Sequence, residues 1–281
     1  MAHPVSVIVG GTRGLGLAMS HKWLENHRRY KNITPRLFVL GRNVDPSENK
    51  PLQALIQEHD NCDIQSVHVD LARPESIESA AKLISSQTDT LDYVFSTAGM
   101  LHNFNLSGQQ TEGKPQLPER SFKEISLDGM RQTFELNTFA HALVIKEFSN
   151  LLKRSSKKCF RSKELNQPPV FAALSARVGS ISDNRKGGWT SYRASKAALN
   201  MILLNAHWEF GMGGRQKVII MALHPGTVDT NLSKPFQDMA KKQYEIFTPE
   251  HSASMLVNLC INSDVSFSGG FYAYDGERIP W

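Results

Sequence analysis

Short runs of apolar, often β-branched residues alternate along the chain with longer segments in which apolar residues recur every three or four positions. The short runs are typical of buried strands and lie at Val5–Val9 and at residues 35–40, 64–69, 91–96, 170–174, 218–223 and 270–274. The periodic segments predict helices at residues 17–29, 52–59, 76–85, 127–152, 192–210 and 249–260. This alternation predicts an α/β fold, a doubly wound parallel sheet of about seven strands with helices on both faces.

Length and composition favour a single domain. The chain has 281 residues, 40% of them hydrophobic, with no shift in composition between its halves. An apolar strand begins at Val5, so we expect no signal peptide, and the longest apolar stretches are too short to span a membrane. The three cysteines form no paired spacing, and the histidines form no helical pair with a carboxylate. We therefore expect a cytoplasmic protein in a reducing compartment, without a structural metal.

A glycine-rich turn lies between the first strand and the first helix. Its glycines let the strand turn, let the backbone approach a pyrophosphate and let the helix pack closely. The start of the helix then presents free N–H groups to the anion. A glycine turn without a ligand is the alternative. The turn predicts a Rossmann-type fold in which a dinucleotide binds Gly10, Thr12, Arg13, Gly14, Leu15 and Gly16.

The end of the second strand indicates which dinucleotide binds. An acidic residue there would accept hydrogen bonds from an adenosine ribose and would repel a 2′-phosphate. This chain has Gly41 and Arg42 instead, with Arg13 nearby in the first turn. Guanidinium groups suit a phosphate dianion, so the sequence predicts NADP(H) in preference to NAD(H). The alternative is that Arg42 is an exposed loop cation.

Two further strand ends carry candidate cofactor contacts. Asp70 and Leu71 follow the third strand, where the carboxylate would either accept from the adenine amino group or cap the next helix. Ala98 and Gly99 follow the fourth strand, and residues this small let a cofactor lie against the backbone. The loops beside such strand ends commonly bind the substrate. We expect these loops at about residues 100–120, 181–189 and 231–246.

Tyr192 and Lys196 lie four residues apart at the start of a predicted helix, one above the other on the same helix face. An ordinary tyrosine has a pKa near ~10 and exchanges protons poorly at neutral pH. A neighbouring positive charge stabilises the phenolate and lowers that pKa, so the pair predicts a general acid and base. The same spacing on a solvated helix face would carry no chemistry.

Together these motifs resemble the short-chain dehydrogenase/reductase family over nearly the whole chain. The resemblance rests on the glycine turn, Ser96-Thr97-Ala98-Gly99, Asn137, Tyr192 with Lys196, and Pro225-Gly226, all in the family's order. The sequences at residues 175–181, 192–200 and 224–228 are similar to those of C-factor and sniffer-type carbonyl reductases. The resemblance implies hydride transfer between a nicotinamide and the carbonyl or alcohol carbon of a small molecule.

The resemblance also implies roles for individual residues. Tyr192 would exchange a proton with the substrate oxygen, while Lys196 would lower the tyrosine pKa and hold the nicotinamide ribose. Asn137 would anchor a water that connects Lys196 to solvent. The segment after the sixth strand would meet the nicotinamide carboxamide through Val228 and Thr230, which follow Pro225 and Gly226.

Three positions depart from the family pattern. Val9 stands where a threonine is usual, and Thr97 where an asparagine is usual. The serine that usually holds the substrate carbonyl falls on Ala176. Ser175 would replace it only if the backbone bulges, and Ser180 only if the loop folds back. We take Ser175 as the candidate. If no hydroxyl replaces the usual serine, the loss of such a donor typically costs ~10²–10³ in rate, and the enzyme would be slow, substrate-assisted or inactive.

Two functions are compatible with these residues. The first is an NADP(H)-dependent carbonyl reductase with Tyr192, Lys196, Asn137 and Ser175 as its catalytic residues. The alternative, motivated by Ala176, is a sensor or signalling protein that binds NADP(H) and catalyses little.

The expected partners are a small-molecule carbonyl substrate and further copies of the chain. Relatives commonly pair through helices, so we expect a homo-oligomer, a dimer or a tetramer. Leu199, Ile202 and Leu203 would form that face or the core. The net charge of +5 and the basic segment at residues 153–163 do not require nucleic acid, because such segments are usually solvated loops.

Overall fold

Nine strands form in the computed structural model, which describes residues 3–28, 30, 32–101, 118–211, 214, 217–241 and 245–281. They are β1 (Val5–Val9), β2 (Arg36–Gly41), β3 (Asp63–His68), β4 (Tyr93–Ser96), β5 (Val170–Leu174), β6 (Ile219–His224), β7 (Thr227–Val228), β8 (Ile246–Phe247) and β9 (Gly270–Ala273). Seven of them form one parallel sheet in the order β3-β2-β1-β4-β5-β6-β9, and β7 pairs with β8. The predicted doubly wound parallel sheet is confirmed.

Helices cover both faces of this sheet. They are α1 (Gly14–His27), α2 (Lys50–Glu58), α3 (Pro74–Gln87), α4 (Leu127–Phe134), α5 (Ala140–Ser155), α6 (Phe160–Glu164), α7 (Thr190–Gly211), α8 (Gln237–Ala240) and α9 (Pro249–Asn262). The apolar residues of α1, α2 and α9 pack in one core layer, and those of α3, α5 and α7 pack in the other. That the chain forms a single domain stays a prediction.

The strands supply both core layers because their successive side chains point to opposite faces. In β1, Val7 faces the layer of α3, α5 and α7, while Ile8 faces the layer of α1, α2 and α9. A strand buried on both faces has no polar side, so it reads as a continuous apolar run. Leu199 and Leu203 of α7 are buried in the layer of α3, α5 and α7, and Ile202 packs against that layer. These three residues are therefore part of the core.

Two segments differ from the sequence-based prediction. The long helix expected at residues 127–152 is divided by a turn of π-helix (Glu135–Phe139), which joins α4 to α5. The basic segment at residues 153–163, expected to be a solvated loop, is partly helical and contains the buried residues Cys159, Phe160 and Arg161. That expectation was wrong because charge alone did not show that the Arg161 side chain is enclosed.

None of the helices in the described ranges is both long and apolar enough to cross a membrane.

Candidate active site

The strand order reverses between β1 and β4, and a large cleft opens at the carboxyl ends of the strands. In doubly wound sheets this position is where ligands bind. The cleft has a volume of about 2250 Å³, well above the ~300–1,000 Å³ that holds a drug-sized ligand. All the predicted cofactor residues line it: Gly10, Thr12, Arg13, Gly14, Leu15, Gly16, Arg42, Asp70, Leu71, Ala98, Gly99, Tyr192, Lys196, Pro225, Gly226, Val228 and Thr230.

The start of α1 is prepared for an anion. Gly10 and Gly14 have φ angles of 84° and 53°, in the left-handed region that glycine adopts without strain. The first turn of α1 contains no acidic residue, and the residue before it, Arg13, makes no side-chain cap. The free N–H groups of this turn therefore remain available to a phosphate.

Thr97 fixes the packing of the glycine turn. Its hydroxyl donates to the backbone oxygen of Val9 at 2.8 Å. A Cβ atom on Gly16 would lie 2.5 Å from this hydroxyl oxygen and 2.2 Å from the backbone oxygen of Gly10, and a Cβ on Gly10 would lie 2.8 Å from the hydroxyl. Only glycine fits at these positions. Thr97 thus joins β4 to the end of β1, a connection that the sequence analysis missed.

Two arginines, Arg13 and Arg42, line the cleft near the end of β2. Arg13 and Arg42 are exposed on the cleft wall, and neither guanidinium forms a hydrogen bond or ion pair within the described ranges. A side chain at Gly41 has no room, because its Cβ would lie 2.7 Å from the hydroxyl oxygen of Thr12. Any side chain at the end of β2 would therefore crowd Thr12.

Asp70 does not cap α3. One of its carboxylate oxygens accepts from the backbone N–H of Ala72 at 3.2 Å, and the other lies 3.7 Å from Nε of Arg73. The helix begins after Arg73 without a side-chain cap. Of the two alternatives for Asp70, helix capping is wrong, and contact with adenine stays a prediction.

The π-helical turn places Asn137 in the interior. Its side-chain amide donates to the backbone oxygen of Met100 at 2.8 Å and to Oγ of Ser195 at 3.1 Å, and its Oδ1 accepts from the N–H of Met100 at 2.8 Å. The side chain therefore ties the end of the β4 turn to α7. A Cβ on Gly99 would lie 3.5 Å from both Oδ1 of Asn137 and Nζ of Lys196, so the structure brings these three residues together.

Tyr192 and Lys196 are both buried in the cleft wall. Nζ of Lys196 donates to the backbone oxygen of Leu174 at 2.8 Å and lies 5.9 Å from the centre of the Tyr192 ring. Burial lowers the pKa of Lys196 to about 7, and no carboxylate within the described ranges pairs with it. Burial also raises the pKa of Tyr192 above its ordinary value. In the protein alone, burial therefore outweighs the lowering of the tyrosine pKa that the sequence predicts, and Tyr192 keeps its proton at neutral pH.

Ser175 lines the cleft at the end of β5, where its hydroxyl already has a partner. The ladder between β5 and β6 continues without a bulge to its N–H, which donates to the backbone oxygen of Leu223 at 2.7 Å. Its hydroxyl donates to Oδ1 of Asn200 at 2.6 Å. Ala176 is the residue that packs with Tyr192 and Leu101. The bulge that a catalytic Ser175 requires does not form, so the structure gives this prediction no support.

Ser180 does not take the place of Ser175. It is buried, and its hydroxyl accepts from the N–H of Asp183 at 3.1 Å, at the start of a turn rather than beside Tyr192. The position next to the phenol is therefore apolar, as the sequence register of Ala176 indicates.

Apolar side chains surround the face of Tyr192. The partly buried residues Trp189 and Phe236 stack edge to face with ring centres 5.2 Å apart, and Trp189 also contacts Tyr192 at 6.4 Å. Leu101, Ala176, Val178 and Leu232 complete this cluster and line the cleft. Trp189 has a φ angle of 53° and follows two glycines in the same left-handed region. In a residue other than glycine this conformation costs on the order of 1–3 kcal/mol.

The sequence analysis also missed His141. Its Nδ1 lies 2.7 Å from Oγ of Ser96 and its Nε2 lies 3.0 Å from the backbone oxygen of Ala98. Because a carbonyl only accepts, Nε2 carries the proton and Ser96 donates to Nδ1. Burial lowers the pKa of His141 to about 3, which keeps the ring neutral. His141 lies one helical turn after Asn137, and this spacing could have indicated that His141 faces the same site.

Comparison with known proteins agrees with this geometry. The family model described as short chain dehydrogenase matches residues 4–158. A 1-hydroxy-2-glutathionyl-2-methyl-3-butene dehydrogenase of Rhodococcus sp. (strain AD45) is 30% identical over 213 residues, which cover 76% of this chain and 78% of the relative. Among solved structures, carbonyl reductase Sniffer of D. melanogaster (23% identity) and an NADPH-bound carbonyl reductase from chicken fatty liver (22% identity) each have a TM-score of 0.77 and full coverage of both chains.

The chain belongs to the short-chain dehydrogenase family, and it is an oxidoreductase of the class that acts on CH–OH and C=O groups. The likeness to sniffer-type carbonyl reductases that the sequence predicted is confirmed at the level of the fold. A nicotinamide dinucleotide fits the residues present, because the uncapped start of α1 and the glycines that leave no room for side chains form a cradle on the cleft wall.

Proposed function

We propose that the protein is an NADP(H)-dependent reductase of apolar carbonyl compounds. The observation that carries this proposal is the pair of Tyr192 and Lys196, buried together in the wall of the cleft with an apolar cluster against the phenol. A phenol with a raised pKa retains its proton, which is the state that a proton donor needs. The bound nicotinamide supplies the hydride.

The proton passes from the hydroxyl of Tyr192 to the oxygen of the reduced carbonyl. In its protonated form, Lys196 then stabilises the phenolate that remains, because its ammonium is enclosed where opposite charges interact strongly. Asn137 holds the turn at Met100 against α7, next to Lys196 and Gly99. This connection supports the proposed route by which a water near Asn137 returns a proton through Lys196.

The preference for NADP(H) is supported by charge and by space. Arg13 and Arg42 offer two guanidinium groups that have no partner in the described part of the chain. Thr12 would crowd a side chain at Gly41, the position from which an acidic residue would bind the ribose hydroxyls of NAD(H).

The apolar cluster around Tyr192 supports an apolar or aromatic substrate. Trp189, Phe236 and Leu232 stand on the cleft side of the phenol, and aromatic pairs prefer the edge-to-face arrangement that the two rings already show. A carbonyl with an aryl or branched alkyl group would bury that group here. Residues 102–117 of the expected substrate loop lie outside the described residues.

The test is NADPH oxidation with a panel of aryl and alkyl aldehydes and ketones. In Tyr192→Phe we expect kcat to fall by ~10²–10⁴, because the variant lacks the proton donor. NADPH affinity should stay within a few-fold of the wild type, since the ring and its packing remain. If no compound gives turnover that depends on the phenol, the reductase proposal fails while binding of the cofactor still stands.

A second function is favoured by one observation. Ala176 occupies the place beside Tyr192, and Ser175 is bonded to Asn200, so the site lacks the usual hydroxyl. This favours a protein that binds NADP(H) and catalyses weakly, as a sensor of the cofactor. Such a protein would bind NADPH yet reduce none of the carbonyl panel.

We also propose that the chain forms a homo-oligomer. The exposed apolar side chains Met201 and Trp208 lie seven residues apart on α7, and Phe139 is exposed on the adjacent π-helical turn. Large apolar side chains grouped in this way are typical of interfaces.

A further inference from the structure

Three side chains with metal-binding atoms meet between α1 and α2. They are His21 on α1, Glu58 at the last residue of α2, and His59 directly after it. One ligand atom from each residue lies within 4.8 Å of the other two. Nδ1 of His21 is 3.3 Å from a carboxylate oxygen of Glu58, and the two imidazole ring centres are 5.4 Å apart. None of the three lines the cleft, so the group is separate from the active site.

His59 supplies a second, independent observation. Only 3% of this residue is exposed, and its buried Nδ1 atom has no hydrogen-bond partner within the described ranges. Buried polar atoms are normally paired, so an orphaned imidazole nitrogen requires an explanation.

We propose that His21, Glu58 and His59 bind a zinc ion. Two imidazole nitrogens and one carboxylate oxygen are a zinc donor set that leaves one position for water. Donor atoms around a tetrahedral zinc lie ~3.3 Å apart, as bonds of about 2.0–2.1 Å require. The side chains of His21 and Glu58 are 26% and 62% exposed, so they are free to close onto the fixed ring of His59.

A zinc ion here would join α1 to α2. The first of these helices begins at the glycine turn of the cleft, and the second follows β2 and Arg42, the residue directly after that strand. The ion would therefore stabilise the part of the fold on which the adenosine end of the cleft is built. Ligand spacing within a single helix, on which the expectation of no structural metal rests, does not reveal this site. Here the ligands come from two helices that meet only in the folded chain.

The experiment is calorimetric titration of the chelator-treated full-length protein with zinc chloride. We expect one equivalent to bind, and we expect zinc to raise the thermal unfolding midpoint. His21→Gln and Glu58→Gln should each weaken binding at least about tenfold, since even outer-shell partners of a metal are worth that much. The matched control is His68→Gln, which removes an exposed histidine outside the cluster and should leave the affinity unchanged.

The variants of the two more exposed ligands, His21 and Glu58, provide the decisive test of the zinc site. His59 is buried, so its replacement disturbs packing as well as binding, whereas His21→Gln and Glu58→Gln keep size and remove the donor or the charge. If the wild type binds no zinc, or if both variants bind it as tightly as the wild type does, the proposal is overturned. Because the readouts are heat and thermal unfolding, failure of the reductase proposal would leave this result unaffected.

Discussion

Lys196 shows how a single buried charge affects the whole protein. Its side chain is enclosed, its ammonium donates to the backbone oxygen of Leu174, and its pKa is lowered to about 7. In the unfolded chain the same ammonium has a pKa near ~10.4. Between these two values the unfolded state therefore binds more protons than the folded state does. The contribution of Lys196 to the free energy of unfolding rises with pH across that window.

We expect this contribution to be visible as a difference between the wild type and Lys196→Met. From pH 7 to pH 9, the free energy of unfolding of the wild type should increase by about 2 kcal/mol relative to the variant. Urea unfolding at several pH values measures this difference. An equal pH slope in both proteins would mean that Lys196 is not the group that titrates.

Ala176 offers a gain-of-function test at the same scale. In Ala176→Ser a hydroxyl would be added beside Tyr192, where the family usually has its carbonyl-holding serine. Such a donor is worth ~10²–10³ in rate. We therefore expect kcat for carbonyl reduction to rise, by ~10² at most. The control is Ser175→Ala, which loses the bond to Asn200 and should lower stability more than turnover. A Ser175→Ala variant with the larger loss of turnover would restore Ser175 as the catalytic residue.

At the scale of elements, α6 is tied to the C-terminal end of α9 by one side chain. Arg161 is fully buried, and its guanidinium donates to the backbone oxygens of Pro168, Cys260, Ile261 and Ser263 and to the hydroxyl of Tyr93. The last carbonyls of a helix have no partner within the helix. Arg161 therefore serves as a C-terminal cap supplied by a distant part of the chain.

Arg161→Met should lower the free energy of unfolding by at least about 3 kcal/mol, because several buried carbonyls would lose their donor at about 1–3 kcal/mol each. Lys158→Met removes an exposed cation from the same basic segment and should change stability by less than about 0.5 kcal/mol. Equilibrium urea unfolding of both variants makes the comparison. Similar small effects would show that α9 does not depend on this cap.

The elements also show which structural features can be predicted from local sequence patterns. Strands and helices were predicted because apolar periodicity is a local property, and the glycine turn because close packing admits no other residue at Gly16. The roles of Arg161 and His141 were not predicted, because the hydrogen-bond partners of both side chains lie far away in the sequence. Whether Ser175 would face the phenol depended on a bulge, which a sequence does not encode in any single residue.

At the scale of the whole molecule, the cleft collects residues from nearly every strand end, from Gly10 after β1 to Thr230 after β7. A ligand that binds only this assembled surface stabilises the folded state as a unit. At a concentration about 100 times its dissociation constant, such a ligand adds roughly 2.7 kcal/mol to the free energy of unfolding.

This linkage gives a test of the cofactor preference that needs no substrate. NADPH should stabilise the wild type more than NADH does at equal concentration, and Arg42→Ala should remove most of the difference because only NADPH carries the 2′-phosphate. Arg154→Ala, an exposed arginine on α5, should leave the difference intact. Equal losses for both cofactors in Arg42→Ala would exclude a role for Arg42 in phosphate binding.

The hydrogen bond from the Thr97 hydroxyl to the backbone oxygen of Val9 involves both positions of the glycine turn and β4 that depart from the family pattern. A threonine is usual at position 9 and an asparagine at 97; here the linking hydroxyl comes from the opposite strand, with Gly10 and Gly16 pressed against it. Thr97→Asn alone would leave the join without its hydroxyl, whereas Val9→Thr adds a hydroxyl without adding a heavy atom. We therefore expect Thr97→Asn to be tolerated better together with Val9→Thr than alone.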